Sequence, residues 1–209
     1  MITILSAILL GYLLGSIPTG VWAGLTLKKI DIRQHGSKST GATNVFRVLG
    51  AKLAVGVLIV DVAKGFLAAY LCSRLNFGDT LLTSSQLAMV AGVAAILGHL
   101  FPIFARFKGG KGVATGAGML LFLAPLEVGF AILIFVVTVW LTRFVSLGSI
   151  LATFFISISL IIEKYHFGFP LGNEMIGLAV VLLGIIIFTH HANINRLLHG
   201  QENRFGART

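Results

Sequence analysis

The chain has 209 residues, of which 56% are hydrophobic and only 11% are charged, and its mean hydropathy is +0.96. This composition excludes an ordinary soluble globular domain, and the long apolar runs indicate an integral membrane protein. The formal net charge is +9, but the basic residues flank apolar runs and form no stripe with interleaved aromatic residues. Nucleic acid is therefore not an expected partner, whereas the lipid bilayer is.

Five apolar segments are long enough to cross a membrane, since one span needs about 20 mostly apolar residues. They cover residues 2–25, 53–73, 81–104, 145–162 and 174–190. The first segment is expected to stay in the mature protein, because it lacks a charged segment before it and is too long for a signal peptide. Within it, Gly11 and Gly15 predict close helix packing, and Pro18 predicts a kink.

Two charged residues, Asp61 and Lys64, fall inside the second apolar segment. A charge near the centre of a bilayer costs about 2.5 to 3.5 kcal/mol on insertion scales. Because the two residues are one helical turn apart, we predict that they form a structural ion pair within the helix bundle. Cys72 is the only cysteine, so an internal disulfide is excluded.

The apolar region 113–142 is too long for a single span, unless the helix is steeply tilted. Pro125 and Glu127 lie near its middle, and proline interrupts a helix. We therefore predict two helices here, the first one short. The fold class that follows is an all-α polytopic membrane protein with seven transmembrane helices, forming one domain over residues 1–209.

The distribution of basic residues supports seven spans. With seven spans, thirteen basic residues share one side of the membrane: Lys28, Lys29, Arg33, Lys38, Arg47, Lys52, Arg106, Lys108, Lys111, Arg143, Arg196, Arg204 and Arg208. Only Arg74 and Lys164 lie on the other side. Because cytoplasmic loops are rich in lysine and arginine, we predict an N-terminus outside and a C-terminus in the cytoplasm.

Three polar segments then face the cytoplasm, and the first covers residues 31–50. Its small and hydroxyl-bearing residues precede apolar residues at helical spacing, which predicts a loop followed by a short amphipathic helix. Ser39 or Thr40 is expected to cap the N-terminus of this helix. That N-terminus would suit a phosphate, since free N–H groups and the helix dipole favour an anion and Arg47 lies one turn further along. The alternative is an interfacial helix that only anchors the loop. The density of hydroxyl and amide side chains between residues 37 and 44 favours the phosphate site.

The second polar segment covers residues 98–118 and contains the sequence FKGGKG. Its glycines would let backbone amides approach a ligand closely, and Lys108 and Lys111 supply point charges that suit phosphate. It is not a Walker A loop, because Gly112 follows Lys111 and Ala105 stands at the position of the first glycine. On this segment alone, a glycine-rich hinge whose lysines only mark topology stays an open alternative.

The third polar segment covers residues 189–206, directly after the last apolar run. His190, Asn193 and Arg196 are spaced by three, so on one helix they would share a face at the membrane surface. A histidine there can position a hydroxyl group or move a proton. The alternative is a helix-end histidine that interacts with the C-terminal dipole. The six histidines form no His-x-x-x-His pair and have no acidic companion, so no metal site is expected.

Several short sequences resemble those of a known family. They are GSIP at 15–18, DIR at 31–33, GATN at 41–44, GHLFP at 98–102, FKGGKG at 107–112 and HxxNINRLLxGxE at 190–202. In this order and spacing, and over nearly the whole chain, they are similar to the bacterial PlsY family of acyl-phosphate glycerol-3-phosphate acyltransferases.

The resemblance implies a seven-helix enzyme of the bacterial inner (plasma) membrane, with its active site facing the cytoplasm. Such an enzyme moves a fatty acyl group from acyl phosphate to the 1-hydroxyl of glycerol 3-phosphate, as the first step of phospholipid synthesis. The products are lysophosphatidic acid and phosphate. No metal or other cofactor, acyl carrier or coenzyme A is implied, and we expect a monomer.

The resemblance also implies roles for individual residues. The catalytic residues would be Ser37, Lys108, His190 and Asn193, with the last two at the reacting hydroxyl. Residues that bind substrate or phosphate would be Thr43, Asn44, Arg47, Gly109, Gly110, Lys111, Gly112 and Arg196. Glu202 would hold the tail in place. The chain departs from the family pattern at Lys38 and Ser39, where the family usually reads GSGN, and at Thr189, which replaces a common arginine.

Reaction chemistry and topology separate this hypothesis from two others. Phosphate leaves an acyl phosphate readily, so positioning and charge stabilisation can suffice, with either His190 or a substrate phosphate oxygen as the base. No histidine here has an aspartate five residues later, so the His–Asp signature of other glycerolipid acyltransferases is missing. A phosphate or organic-anion transporter would need polar groups linked across both faces, and a noncatalytic scaffold would leave the polar clusters unexplained.

Overall fold

The computed structural model describes residues 1–206, and all regular elements in that part of the chain are helical. The α-helices are α1 (Ile2–Gly15), α2 (Thr19–Ala23), α3 (Ala42–Leu49), α4 (Ala51–Cys72), α5 (Ser84–Leu100), α6 (Val113–Leu123), α7 (Pro125–Thr142), α8 (Val145–Tyr165), α9 (Asn173–Thr189) and α10 (His191–Leu198). A π-helical turn follows α2, and short 3-10 turns precede α3 and α6. The all-helical prediction is confirmed. Arg208 lies outside the described residues.

Five helical segments are long and apolar enough to cross a membrane: Ile2–Lys28, Ala51–Cys72, Ser84–Ala105, Pro125–Thr142 and Val145–Tyr165. A sixth arises if α9 and α10, which meet at a 63° bend, are counted as one broken span. Helix α6 is apolar but has only 11 residues. Seven spans and the orientation of the two termini therefore stay predictions.

Prolines set two of the helix boundaries. Helix α6 ends at Leu123, and α7 begins with Pro125. Proline is tolerated at this first position because the N–H that it lacks would form no hydrogen bond within the helix. The predicted division of this region into a short and a longer helix is confirmed. Pro18 lies between α1 and α2, so the first apolar segment is interrupted at the residue where a kink was predicted.

By its internal contacts the chain divides into two compact units, Met1–Leu123 and a second unit that begins at Ala124. In the first unit, α1 packs against α5, and α4 packs against α6. A Cβ atom at Gly11 or Gly15 would overlap backbone carbonyl oxygens of α5, and one at Gly65 would overlap a carbonyl of α6. Small residues thus let these helices touch through their backbones, as is typical in membranes.

In the second unit, α8 packs against both α7 and α9. The Ser157 hydroxyl on α8 donates to the Ala179 carbonyl on α9 at 3.2 Å. After α10 the chain returns to the turn between α7 and α8, where the Phe205 amide donates to the Arg143 carbonyl at 2.6 Å. That return is what places the tail beside the start of α8. A single domain, as the sequence predicts, stays a prediction.

Candidate active site

The first polar segment is folded around the side chain of Asn44, which is 1% exposed. Its amide nitrogen donates to the carbonyl oxygens of Ile32, His35 and Ser39, at 3.0, 3.1 and 2.8 Å. Its Oδ1 accepts from the Ser37 amide at 2.8 Å. Because both ends of the amide are used in this way, Asn44 shapes the loop that carries Ser37. A contact between Asn44 and substrate stays a prediction.

The predicted cap of α3 is wrong. The residue before the helix is Gly41, which has no side chain, so neither Ser39 nor Thr40 caps the N-terminus. The Ser39 hydroxyl accepts instead from the Gly41 amide at 3.4 Å, and Thr40 is buried. The reason is that Asn44, from inside the helix, closes the loop and fixes where the chain enters α3.

Other residues of the first polar segment present polar groups near this loop. Thr43 and Arg47 lie four residues apart in α3, so they share one face of the helix. Both are partly buried, whereas Ser37 is exposed. The predicted roles of these three side chains towards a substrate stay predictions.

Lys38, where the family pattern has glycine, adopts a left-handed backbone with φ of 59°. This conformation costs a residue with a Cβ atom roughly 1 kcal/mol or more. We therefore expect Lys38→Gly to raise the free energy of unfolding by about 1 kcal/mol, as measured by denaturation in detergent micelles. Lys28→Gly is the control and should lower stability, because Lys28 lies in a helical turn. A less stable Lys38→Gly variant would contradict the prediction.

Asp31 and Arg33 connect the first polar segment to the second. The Arg33 guanidinium contacts the Asp31 carboxylate at 2.8 Å through Nη2 and at 2.9 Å through Nε. Its Nη1 donates to the Ala105 carbonyl at 3.1 Å, just before the glycine-rich sequence. The hydrogen bonds from Arg33 hold the pKa of the Asp31 carboxyl below its usual range, and the same pair raises the pKa of Arg33. The pair thus stays ionised at neutral pH and holds the two segments together.

The glycine-rich sequence, residues 107–112, is called the glycine loop below, and it folds back onto the end of α5. The Gly110 amide donates to the His99 carbonyl at 3.1 Å. A Cβ atom at Gly109 would overlap the carbonyl oxygens of His99 and Leu100, and one at Gly110 would overlap His99 Nε2. These two glycines are therefore required for the packing of the loop on α5, a reason that the sequence alone did not reveal.

The two lysines of the glycine loop differ in exposure: Lys108 is exposed, and Lys111 is partly buried. Gly112 has a positive φ of 80°, so the chain turns there into α6. Phosphate binding by these residues and by Gly109 and Gly110 stays a prediction.

A buried polar cluster lies directly behind the glycine loop. Lys64 Nζ is 2.8 Å from Asp61 Oδ1 and 2.7 Å from His99 Nδ1. The predicted ion pair in α4 is therefore confirmed, but the participation of His99 was not foreseen. His99 meets Lys64 because α5 packs against α4, and no local spacing in the sequence reveals this contact. The crevice that these side chains line has no room for a water molecule.

In the second unit, the chain bends at His190, which lies between α9 and α10 with φ of −104° and ψ of 7°. Asn193 and Arg196 lie on α10, and the prediction that all three residues share one helix is wrong only for His190, which precedes that helix. His190 is 2% exposed, and its Nδ1 is 3.0 Å from the Ile186 carbonyl. In the tautomer that donates to this carbonyl, Nε2 is the basic nitrogen. His190 thus ends a helix, as the alternative interpretation stated, and in that tautomer its Nε2 can accept a proton.

Glu202 organises the rest of the third polar segment. Its Oε1 accepts from Asn193 Nδ2 at 2.7 Å and from the Ser146 hydroxyl at 3.0 Å. Its Oε2 accepts from Arg196 Nε at 2.8 Å. The carboxylate is 3% exposed, so it fixes Asn193 and Arg196 relative to the start of α8. This agrees with the role of holding the tail that the resemblance implied. The predicted roles of Asn193 in catalysis and of Arg196 towards phosphate are not tested.

The structure therefore joins the first and second polar segments within the first unit, through Arg33 and the Ala105 carbonyl. The third polar segment belongs to the second unit and has its own network around Glu202. Across residues 1–206, no group of three His, Cys, Asp or Glu side chains is arranged to hold a metal ion.

Comparison with known proteins gives one consistent result. The sequence profile of the family described as glycerol-3-phosphate acyltransferase matches residues 5–200. A glycerol-3-phosphate acyltransferase of Fusobacterium nucleatum is 44% identical over 198 residues, which cover 95% of this chain and 96% of the relative. One from Chlorobium luteolum is 41% identical over 230 residues, with 98% of this chain and 97% of the relative covered.

Two crystal structures are also similar to this chain, and both are of PlsY, an integral membrane glycerol 3-phosphate acyltransferase. The glycerol 3-phosphate form has a TM-score of 0.84 and 39% sequence identity, and the match covers 97% of this chain and 96% of that chain. The lysophosphatidic acid form has a TM-score of 0.81 and 38% identity, and the match covers 97% and 95%.

Proposed function

The chain belongs to the glycerol-3-phosphate acyltransferase family, and from that premise we propose that it acylates the 1-hydroxyl of glycerol 3-phosphate with acyl phosphate as donor. The products are lysophosphatidic acid and inorganic phosphate. The observation that carries the proposal is the similarity, over 97% of the chain, to PlsY structures in glycerol 3-phosphate and lysophosphatidic acid forms. In a bacterium, this reaction would start phospholipid synthesis at the cytoplasmic side of the plasma membrane.

The proposed reaction is a direct acyl transfer. The hydroxyl oxygen of glycerol 3-phosphate attacks the acyl carbonyl carbon, and the bond between that carbon and the phosphate oxygen breaks. Phosphate leaves with its electron pair, and the hydroxyl proton passes to a base. Because phosphate is a good leaving group, positioning and stabilisation of negative charge can supply most of the acceleration. This chemistry fits a chain without the His–Asp signature.

Each unit contributes groups that suit one part of this reaction. In the first unit, Arg47, Lys108 and Lys111 supply positive charge for substrate phosphates, and the Ser37 and Thr43 hydroxyls supply hydrogen bonds. These roles are proposals that the hydrogen bond between the first and second polar segments supports.

In the second unit, His190 and Asn193 are proposed to orient the reacting hydroxyl. Two groups can take its proton, His190 Nε2 and an oxygen of a substrate phosphate. The burial of His190 and its contact with the Ile186 carbonyl support a fixed ring orientation for such a role.

The acyl donor is tested with the purified protein in detergent and radiolabelled glycerol 3-phosphate. We expect palmitoyl phosphate to yield lysophosphatidic acid and inorganic phosphate in equal amounts, without added metal. Palmitoyl-coenzyme A and palmitoylated acyl carrier protein, offered separately at the same concentration, should give no product above background. Equal or faster turnover with either thioester would overturn the choice of donor and leave the acceptor in place.

One observation bears on the competing function, transport of phosphate or an organic anion. The Asp61, Lys64 and His99 cluster places charge inside the first unit, as a transporter would require. The crevice beside it, however, has no room for a water molecule. Proteoliposomes that contain the protein should accumulate no labelled glycerol 3-phosphate or phosphate above protein-free vesicles. Saturable uptake without acyl transfer would favour the transporter.

A further inference from the structure

The buried cluster behind the glycine loop is costly for a membrane protein. Asp61, Lys64 and His99 are 2%, 3% and 7% exposed and lie in α4 and α5. Moving such charges out of water costs several kcal/mol per ion, and apolar replacement of a buried ion pair is often neutral or stabilising. Stability alone therefore gives no reason for this cluster, and its contacts indicate another role.

The contacts of the cluster lead to the glycine loop and to the turn before α2. Lys64 Nζ donates to the Ile17 carbonyl at 3.2 Å, in the GSIP sequence. The Thr19 hydroxyl is 3.4 Å from Asp61 Oδ1. The Asp61 carboxylate and His99 Nδ1 are the other two partners of Lys64 Nζ. Three partners therefore fix the position of the ammonium group.

The bond with Lys64 fixes the orientation of the His99 ring. A charged lysine only donates, so His99 Nδ1 must accept, and the hydrogen of the neutral ring is then on Nε2. That edge of the ring lies against Gly110, where a Cβ atom would overlap Nε2. The carbonyl of His99 accepts from the Gly110 amide at 3.1 Å. The backbone and the ring of one residue therefore both fix Gly110.

We propose that Lys64 and His99 are positioning residues for the glycine loop. Lys64 fixes the His99 ring, and the ring supports Gly110 from behind, so that the loop keeps the shape in which it binds the phosphate of glycerol 3-phosphate. This inference rests on the proposed function, since it requires the glycine loop to bind that phosphate. As positioning residues they would act through the loop, without contact to substrate and without a part in the chemical step.

The first test is a double-mutant cycle between His99→Ala and Gly110→Ala. In the Gly110→Ala variant the new methyl group collides with the ring, and we expect KM for glycerol 3-phosphate to rise about tenfold, while kcat changes by less than about twofold. In the His99→Ala background the space of the ring is vacant, so the same substitution should change KM by less than about twofold. Equal effects of Gly110→Ala in both backgrounds would overturn the proposal.

The second test separates positioning from stability. Lys64→Met alone would leave Asp61 buried without its cation, so the variant to use is Asp61→Asn combined with Lys64→Met. We expect this neutral pair to keep the thermal midpoint within a few degrees of the wild type and still to raise KM for glycerol 3-phosphate about tenfold. Lys52→Met is the matched control, since Lys52 is exposed on the same helix, and its kinetics should match the wild type.

The outcomes distinguish this inference from the proposed function. A wild-type KM in the neutral pair would overturn the positioning role and leave the enzyme activity intact. A wild type without acyl transfer to glycerol 3-phosphate would overturn both. If the neutral pair is unstable in detergent, the cluster serves the fold, and this outcome also contradicts the proposal. The cycle between His99 and Gly110 tests the support of the loop without removing a charge.

Discussion

His190→Ala is expected to lower kcat for acyl transfer by at least about 100-fold, the usual size of a lost general base or hydroxyl-positioning group. The residue is 2% exposed, and its ring is held by the Ile186 carbonyl at the end of α9. Truncating a buried ring also leaves a cavity, which costs stability, so the fall in kcat is read in a variant that still folds. Initial rates with palmitoyl phosphate, together with a thermal midpoint, measure both effects.

Two further substitutions at this position decide which group takes the proton. The amide of His190→Asn can keep the bond to the Ile186 carbonyl, but it has no group at the place of Nε2. The amide of His190→Gln reaches that place and can hold a hydroxyl, but it cannot accept a proton. Activity in the glutamine variant alone would assign the proton to a substrate phosphate, whereas inactivity of both would assign it to His190.

His191→Ala is the matched control for this series. His191 is the next residue and is exposed; its Nδ1 is 2.7 Å from the Phe188 carbonyl, and its ring lies 6.2 Å from the Phe188 ring. Its removal should leave kcat within about twofold of the wild type. Full activity of His190→Ala would remove His190 from the mechanism.

Features that depend on one residue type or on one helical turn could be predicted from the sequence. The division at Pro125 follows from the chemistry of proline, and the ion pair of Asp61 and Lys64 follows from a spacing of three in an apolar helix. Close packing at Gly11 and Gly15 follows from the absence of a side chain. In each case the information lies within a few neighbouring residues.

Features that depend on tertiary packing could not be predicted. His99 is 35 residues from Lys64, and no local pattern indicates that their side chains meet at 2.7 Å. The same limit applies to Gly109 and Gly110. Glycines at a ligand and glycines against a helix end look alike in sequence, and only the fold shows that α5 lies behind them.

The predicted cap of α3 and the predicted helical position of His190 were wrong for a common physical reason. In both places local hydrogen bonds compete, and the sequence does not show which of them form. Ser39 and Thr40 are good capping residues, but Asn44 forms the bonds that fix the loop, and the helix begins after Gly41. The residues around His190 contain no proline or glycine to mark a break, yet the backbone there leaves the helix.

Glu202→Ala is expected to lower the free energy of unfolding by about 3 kcal/mol, because it removes a buried carboxylate that accepts three hydrogen bonds. The donors that lose this acceptor are Ser146, Asn193 and Arg196, which contact the carboxylate at 2.7 to 3.0 Å. Since Asn193 then loses one of the contacts that hold it, kcat should fall as well. Denaturation in detergent and initial rates measure the two effects separately.

Glu202→Gln divides this loss into its parts. Its amide oxygen can still accept from Ser146 and Asn193, but the amide has no charge to pair with Arg196. Because Arg196 is 35% exposed, solvent screens that pair, and we expect the glutamine variant to lose only about 1 kcal/mol. Gln201→Ala, at the exposed neighbouring position, is the control and should resemble the wild type. If Glu202→Ala were as stable as that control, the buried carboxylate would not be what holds the tail against α8, and the position of Asn193 would need another explanation.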